Sequence, residues 1–293
     1  MVKDVNDPLK IGIIGAGKVG TSIGHVMKDK GLNVAAVSDK FGAQLDVARN
    51  YIGDESLYTH DNMEIVQSSD VIAITTQDRV IEEVANEIYE KSERLDGKFF
   101  FHTSGAHPAS ILSPLDMKGA FLGSLHPLQT FPDIESAIRV IPDTYIFIDG
   151  HEEAIPVLTL IGKTIGFDVV RIEGKNKVLY HLSAVYVCNL LCALLYAGQD
   201  IMNKAGVELQ PFFPIIKATL ENIETKGPLM SLTGPVIRGD AGTVLSHLQA
   251  IDNLELHTKV YKALSSVALD MVRKRNVLDD EILAKLQGIL EET

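Results

Sequence analysis

Residues 9–38 restrict the fold of this chain more than any other stretch. They read LKIGIIGAGKVGTSIGHVMKDKGLNVAAVS: an apolar run, a glycine-rich turn, an amphipathic segment and a second apolar run. Short apolar runs bounded by glycine predict strands, and the helical period between them predicts a helix. Two strands joined through a helix pair in parallel, so the stretch predicts a βαβ unit at the start of an α/β fold.

The turn carries Gly15, Gly17 and Gly20 in the spacing G-x-G-x-x-G. The spacing is common by chance, but here it follows a strand and opens a helix, as a diphosphate site requires. Gly15 would allow the tight turn, Gly17 the approach of a pyrophosphate, and Gly20 the packing of helix on strand. We therefore predict dinucleotide binding in a Rossmann domain; a turn used only for packing is the alternative. The contacting residues would be Gly15, Ala16, Gly17, Lys18, Val19 and Gly20.

The end of the second predicted strand bears on which dinucleotide binds. An acid that bonds both ribose hydroxyls favours NAD, whereas a hydroxyl followed by a base favours NADP. Asp39 stands where the acid belongs, between Ser38 and Lys40. Because the strand ends on Ser38 rather than on a carboxylate, we expect NADP slightly ahead of NAD. All three residues are predicted cofactor contacts, and a solvated loop is the alternative.

Further short apolar runs follow, separated by segments of helical period. They lie at residues 70–76, 98–105, 120–127, 144–150 and 167–173. This alternation implies a parallel sheet covered on both faces, and ligands of such doubly wound sheets bind beyond the carboxyl ends of the strands. After the first of these runs we expect Thr75, Thr76 and Gln77 to line the cofactor channel, and Asp78 to cap the next helix.

Two later strands end in the motifs HTSG and GSLHPLQTF, which contain His102, Ser104 and His126. We expect His102 to contact the cofactor, Ser104 to contact the substrate, and His126 to take part in catalysis. A structural role is the alternative for each histidine. A serine hydrolase is disfavoured because the sequence has no G-x-S-x-G elbow and the dinucleotide turn would stay unexplained.

The composition limits the classes of partner. Of 293 residues, 39 are Asp or Glu and 27 are Lys or Arg, which gives a net charge of −12. This charge repels phosphate backbones and anionic lipid, so we expect neither a nucleic acid nor a membrane partner. The N-terminal MVKDVNDPLK has no apolar signal segment, and Cys188 and Cys192 read as buried free thiols. Both observations favour the cytoplasm, and we expect no metal.

The pattern changes near residue 173. Beyond it no strand is evident, only helical periods at 175–204, 210–226, 241–251, 254–275 and 279–291. We therefore predict two domains, a Rossmann domain at 1–173 and an all-helical domain at 174–293. Apolar stripes on the last two helices favour a homodimer through the helical domain, with core packing inside one chain as the alternative.

Residues 178–199 contain no Asp, Glu, Lys or Arg. They are long enough to cross the roughly 30 Å apolar core of a bilayer. No second span accompanies them, however, and His181 and Asn189 would be costly in lipid. We therefore predict a central helix of a soluble domain, with its first turns at the cofactor cleft and Leu190 to Leu195 in the core.

The loop TGPVIRGDAGTVLSH at 233–247 is the conspicuous irregular piece of the second half. Arg238 offers a forked donor suited to a carboxylate or phosphate, so we predict that it anchors an anionic substrate. A pair of Arg238 with Asp240 or a glutamate that holds the loop is the alternative. Asp240 could also cap the helix that begins near Gly242.

Lys177 and His181 follow Gly174 and lie four residues apart on one helical face. Here the sequence resembles the β-hydroxyacid dehydrogenases and 6-phosphogluconate dehydrogenases. Their helical domain begins with a similar lysine, followed within a turn by an asparagine or histidine that faces the nicotinamide. A closer resemblance is to Rossmann-like proteins with a helical C-terminal domain of unknown function, through HTSG, GSLHPLQTF, YHLSAVYVCN and TGPVIRGDAGTVLSHL. It implies a 6-phosphogluconate-dehydrogenase-like helical domain, without a substrate.

These observations predict an NAD(P)-dependent oxidoreductase for a small, anionic carbonyl, imine or alcohol substrate bound between the two domains. A group of near-neutral pKa must handle the proton that accompanies the hydride. We assign this role to Lys177 and His181, then to His126, with Asn189 orienting the substrate and Arg238 holding its anion. Lys177 could instead only start its helix. Two other functions stay open: a non-catalytic redox sensor or assembly protein, and an imine reductase resembling pyrroline-carboxylate reductase.

Overall fold

The computed structural model describes residues 9–166 and 168–291. Residues 1–8, part of the N-terminal segment in which we predicted no signal peptide, lie outside the described residues. The strands are β1 (Lys10–Ile14), β2 (Asn33–Ser38), β3 (Leu57–Thr59), β4 (Val71–Ile74), β5 (Phe99–His102), β6 (Phe121–Pro127), β7 (Tyr145–Gly150) and β8 (Asp168–Arg171). The helices up to residue 184 are α1 (Lys18–Asp29), α2 (Gly42–Ile52), α3 (Asn62–Ser68), α4 (Asp78–Lys91), α5 (Ser113–Asp116), α6 (Ile134–Val140), α7 (Ile155–Ile165) and α8 (Lys177–Ala184). Those that follow are α9 (Leu190–Lys204), α10 (Phe213–Ser231), α11 (Ala241–Ala250), α12 (Glu255–Arg275) and α13 (Asp280–Glu291).

The strands form one sheet in the order β3-β2-β1-β4-β5-β6-β7-β8. The order reverses direction between β1 and β4, and at such a switch point Rossmann sheets bind their ligands. The predicted fold class, a doubly wound Rossmann sheet followed by an all-helical region, is confirmed. The short strand β3 has too few residues to stand out as an apolar run in the sequence.

The prediction of a parallel sheet holds from β3 to β6 and fails at the edge. β7 runs antiparallel to β6, and β8 is parallel to β7. The segment between β6 and β7 does not cross the sheet: it places α6 beside α1, where the Ser22 hydroxyl donates to the Ile134 carbonyl oxygen at 3.4 Å. β7 therefore returns along β6, with Pro127 opposite Ile146.

Apolar side chains cover both faces of the sheet. The consecutive residues Phe100 and Phe101 of β5 belong to different buried clusters, as expected when alternate side chains of a strand point to opposite faces. On the first face α1 contributes Ile23, and on the second α4 contributes Ile88. A strand buried on both faces needs a nearly continuous apolar run, which is the pattern in the sequence.

The chain divides into two compact units, residues 1–189 and 190–293. The first holds the sheet, α1 to α8 and a π-helical turn at Val185–Asn189. In the second, α11, α12 and α13 share a small core that includes Val244, Val272 and Leu286. The last strand ends at Arg171, close to the predicted change at residue 173, but whether 1–173 and 174–293 are separate domains stays a prediction.

The expected central core helix is wrong for this chain alone. Leu190 is 46% exposed and Leu194 is 42% exposed. Cys192 is exposed as well, so the prediction of two buried thiols fails there. Helical residues Gly174–Lys204 are long and apolar enough to cross a membrane by length and composition. Apolar composition does not distinguish a core helix from one that is covered by a partner, and the sequence prediction rested on composition.

Candidate active site

The three glycines of the turn between β1 and α1 differ in whether conformation or packing requires a glycine at that position. Gly15 has a φ of +104°, which favours glycine. A Cβ on Gly20 would lie 2.1 Å from the Gly15 carbonyl oxygen, so packing requires glycine there. Gly17 has neither constraint, since its φ is −71° and no atom lies within 4 Å of a Cβ built on it. The open space at Gly17, at the start of α1, suits the pyrophosphate of a dinucleotide.

Asp39, after β2, bonds to the glycine turn. Its carboxylate accepts from the Ala16 N–H at 2.8 Å and from the Phe41 N–H at 2.9 Å. Ser38 is fully buried and its hydroxyl donates to Asn62 Oδ1 at 2.8 Å. The Ser38 hydroxyl is thus engaged inside the fold, and its predicted contact with the cofactor stays a prediction. Lys40 is exposed, with Nζ 5.0 Å from the centroid of the Phe41 ring.

Of the three residues after β4, one supports the glycine turn and the other two have side chains that a cofactor could contact. Thr75 is buried, and its hydroxyl donates to the Gly15 carbonyl oxygen at 2.6 Å, so it holds the glycine turn. The Thr76 hydroxyl is buried and lacks a hydrogen-bond partner among the described residues. Gln77 is exposed and accepts from Arg79 Nε at 3.0 Å. A buried hydroxyl without a partner beside the glycine turn is a group that a bound ligand would satisfy.

His102 and Ser104, after β5, are held by the protein itself. His102 is 0% exposed; its Nε2 is 3.2 Å from the Pro108 carbonyl oxygen and its Nδ1 accepts from the Ser104 N–H at 3.1 Å. The Ser104 hydroxyl donates to Asp78 Oδ2 at 2.9 Å and accepts from the His107 N–H at 3.2 Å. The polar atoms of both side chains are thus engaged within the protein, and their predicted contacts with cofactor and substrate stay predictions. Asp78 bonds Ser104 instead of capping α4.

Lys177, the first residue of α8, is completely buried. Its Nζ donates to the Ser104 carbonyl oxygen and to the Ser124 hydroxyl, both at 2.9 Å. The Ser124 hydroxyl lies 3.4 Å from Asp149 Oδ2, which also accepts from the Ala109 N–H at 2.7 Å. An ammonium without solvent access does not touch a substrate in this conformation. Lys177 joins α8 to the ends of β5 and β6, and its predicted catalytic role stays a prediction.

Two other histidines converge beside Gly105. A Cβ built on Gly105 would lie 2.8 Å from His126 Nε2 and 2.9 Å from His181 Nδ1. His126 Nδ1 is 2.7 Å from the Tyr180 hydroxyl, and the Tyr180 ring stacks on Phe147 with centroids 4.4 Å apart. His181 Nδ1 is buried and has no partner among the described residues. We call His126, His181 and Gly105 the two-histidine site.

Burial and the Lys177 charge keep His126 and His102 neutral at neutral pH. Burial first, and then the charge of Lys177, lower the pKa of His126 to about 3, and the same causes lower the pKa of His102 to about 3. Burial lowers the pKa of Lys177 to about 8, and the carboxylates of Asp149 and Asp78 oppose this shift. Burial raises the pKa of Tyr180. At neutral pH His126 and Tyr180 are therefore an uncharged hydrogen-bonded pair.

Two further residues were predicted to bind substrate, and both side chains are exposed. Asn189 is exposed at the end of the π-helical turn. Arg238 is exposed in the second unit. Nearby, Asp240 caps α11 as predicted, because its Oδ1 accepts from the Thr243 N–H at 3.0 Å. Within residues 9–166 and 168–291, no group of three or more His, Cys, Asp or Glu side chains could hold a metal.

Sequence reasoning missed Tyr180, Gly105 and Asp149. Tyr180 precedes the predicted His181, but its partner His126 is 54 residues away. Gly105 stands in the quoted motif HTSG, where only the histidine and serine drew attention. Asp149 lies at the end of the apolar run that forms β7. Because polar residues at strand ends are candidate ligand contacts, its position in the sequence was a signal that could have identified it.

Two family models match the chain. Residues 3–127 match the Rossmann-like domain, and residues 144–268 match a domain of unknown function, DUF2520. The chain thus carries a Rossmann-like domain followed by a DUF2520 domain. The lysine and tyrosine described above, Lys177 and Tyr180, lie within the DUF2520 match. No curated protein matches the chain significantly.

Solved structures share the fold over most of the chain. BF3122 from Bacteroides fragilis, whose description suggests an NADP oxidoreductase, has 22% identity and a TM-score of 0.73, covering 89% of this chain and 97% of its own. TM1727 from Thermotoga maritima has 22% identity and a TM-score of 0.71, covering 91% and 99%. A reductive aminase from Aspergillus terreus, solved with NADPH and ethyl levulinate, has 15% identity and a TM-score of 0.70, covering 96% and 99%. At these identities the likeness shows the fold of the Rossmann-like and DUF2520 parts.

Proposed function

We propose that this protein is an NADP(H)-dependent oxidoreductase that acts on a small carbonyl, imine or alcohol substrate. The open space at Gly17 carries the proposal, because neither backbone conformation nor packing explains a glycine there. The unpartnered Thr76 hydroxyl beside the turn supports it. So do the names of structural neighbours, one of which was solved with NADPH. The turn from Gly15 to Gly20, with Thr76 and Gln77, would hold the dinucleotide.

The chemistry then divides between cofactor and protein. A bound nicotinamide supplies or accepts the hydride. His126 carries no extra proton at neutral pH, so its role is to donate a hydrogen bond to the reacting oxygen or nitrogen. His181 has an unpartnered Nδ1 beside Gly105 and is the candidate to give or take the substrate proton. Asn189 as an orienting group and Arg238 as an anion anchor remain proposals.

The cofactor preference is proposed to be NADP over NAD. Asp39 has both carboxylate oxygens bonded to backbone N–H groups, whereas the Lys40 ammonium is exposed beside it. A cation at the end of β2 suits a ribose phosphate. We expect Lys40→Ala to weaken NADPH binding and leave NADH binding nearly unchanged, as measured by quenching of cofactor fluorescence. Equal loss for both cofactors would contradict the assignment.

Turnover tests the proposed activity. The protein is mixed with NADPH and a panel of keto acids, plain ketones and cyclic imines, and NADPH oxidation is followed by absorbance. We expect one class to be reduced, with kcat falling roughly 100-fold or more in His181→Ala. The control is His247→Ala, which removes an exposed histidine of α11. Tight NADPH binding without turnover of any class would favour the redox sensor instead.

The assembly and location are proposed on separate grounds. The apolar residues exposed on α9 and α10 suit a homodimer through the helical part. The net charge of −12 disfavours binding to nucleic acids and to anionic membranes, because it repels their phosphate groups. We accordingly propose a cytoplasmic homodimer.

A further inference from the structure

The contact between Tyr180 and His126 defines how His126 can act. The Tyr180 hydroxyl lies 2.7 Å from Nδ1, the nitrogen that faces away from the two-histidine site. We propose that Tyr180 is a positioning residue that fixes His126 in the tautomer with its proton on Nε2, so that His126 presents an N–H donor beside Gly105. The use of that donor on a substrate rests on the proposed oxidoreductase function; the tautomer itself does not.

The direction of the hydrogen bond follows from counting protons. Burial raises the pKa of Tyr180, so its hydroxyl keeps its proton. Within the described residues the acceptor for that proton is His126 Nδ1. If Nδ1 instead donated to the tyrosine oxygen, the phenol proton of the half-buried Tyr180 would have no acceptor among the described residues. His126 is neutral and has a single N–H, so that N–H must be on Nε2.

The fold keeps this pair in place from two sides. His126 lies opposite Phe147 in the pairing of β6 with β7. The Tyr180 ring stacks on Phe147 at 4.4 Å and meets the His126 ring edge-on, with an interplanar angle of 84°. Tyr180 therefore has little freedom to turn its hydroxyl away from Nδ1. This packing makes a fixed tautomer a property of the folded protein before any ligand binds.

Nε2 of His126 and Nδ1 of His181 lie close to each other beside Gly105. His126 Nε2 and His181 Nδ1 both lie within 3 Å of the same point beside Gly105. A neutral imidazole N–H stabilises negative charge on a carbonyl oxygen or imine nitrogen as hydride arrives at carbon. The geometry thus separates two roles: His126 donates a hydrogen bond, and His181 exchanges the proton. Both assignments use residues of the first compact unit.

Nitrogen NMR of the imidazoles tests the tautomer without any substrate. The wild-type protein, labelled in histidine, is compared with Tyr180→Phe and with the control Tyr186→Phe, which alters an exposed tyrosine in the adjacent π-helical turn. We expect the wild type and the control to carry the His126 proton on Nε2 from pH 6 to 9, and Tyr180→Phe to show a mixture. A wild-type proton on Nδ1, or an unchanged tautomer in Tyr180→Phe, would overturn the proposal. The wild-type spectrum decides alone if Tyr180→Phe does not fold.

A double-mutant cycle tests whether Tyr180 acts through His126. Glutamine at position 126 supplies an amide N–H whose proton needs no tautomer. We expect Tyr180→Phe to lower kcat roughly 10-fold in the wild-type background with little change in KM, and to have no further effect in His126→Gln. Independent, multiplying losses would show that Tyr180 has a separate structural role and would overturn the proposal. If no substrate is turned over at all, the proposed function fails while the NMR result still stands.

Discussion

The buried ammonium of Lys177 governs the charge of the residues around it. It bonds to Ser104 and Ser124, and its charge is the second cause, after burial, of the lowered pKa values of His102 and His126. Its own pKa falls to about 8, below the ordinary value of 10.5. The folded state therefore binds fewer protons than the unfolded state from about pH 8 to 10.5, and Lys177 makes the protein more stable as pH rises through that window.

Replacing this lysine should change both stability and titration. We expect Lys177→Met to lower the free energy of unfolding by about 1–3 kcal/mol, because the Ser104 carbonyl and the Ser124 hydroxyl lose a buried donor. The pKa of His126 should rise from about 3, since a neighbouring cation is gone. Urea unfolding and NMR titration measure the two effects. The control Lys175→Met removes an exposed lysine that pairs with Glu173 and should change neither quantity.

His102 and His126 should make the protein sensitive to mild acid. Their folded pKa values of about 3 lie below the ordinary value of 6.5, so between these limits the unfolded state binds the extra protons. Stability is complete above pH 6.5 and falls as pH decreases, by up to about 1.4 kcal/mol per pH unit for each histidine. Urea midpoints from pH 7 to 5 measure the slope. His102→Gln should reduce it; an equal slope in the wild type and in His102→Gln would refute the assignment.

The helices α9 and α10 expose large apolar side chains that no other part of the described chain covers. Tyr196 is 73% exposed, Leu194 is 42% exposed and Ile215 is 64% exposed. Contiguous exposed apolar surface marks an interaction site in a soluble protein. The sequence showed that α9 is apolar, but it could not show whether the covering side chains belong to the same chain, a second copy or a membrane.

Light scattering should show a homodimer at micromolar concentration without detergent. We expect Leu194→Glu to weaken it, because a charge would be buried in an apolar interface. The matched control is Leu160→Glu, which changes a leucine that is 55% exposed on α7. A monomeric wild type would contradict the dimer, and a protein that stays in solution only with detergent would indicate a membrane partner.

At the scale of the whole molecule, the sequence predicted those features of the fold that depend on residues close together in the chain. The glycine spacing after β1 and the alternation of strands with helices were sufficient for the Rossmann fold. The reversal of β7 was not predictable, because it depends on α6 packing against α1. In the same way, the bond of Lys177 to Ser104 spans 73 residues and that of Tyr180 to His126 spans 54. The polar strand ends were found, but whether each side chain faces the fold or the ligand is set by such distant contacts.

The most direct test of the dinucleotide site compares NADPH binding by the wild type and by Gly17→Val. Fluorescence titration measures the affinity, and thermal unfolding measures the stability with and without NADPH. The φ and ψ of Gly17, −71° and −172°, suit valine, so the free variant should unfold at the wild-type temperature. With NADPH at about 100 times its Kd, the wild type should gain about 2.7 kcal/mol of stability. The control Gly288→Ala alters an equally open glycine on α13 and should bind normally. We predict a loss of affinity of at least roughly 10-fold in Gly17→Val, because its side chain fills the space for the pyrophosphate. Equal NADPH affinity in Gly17→Val and wild type, or no binding by the wild type, would contradict the account.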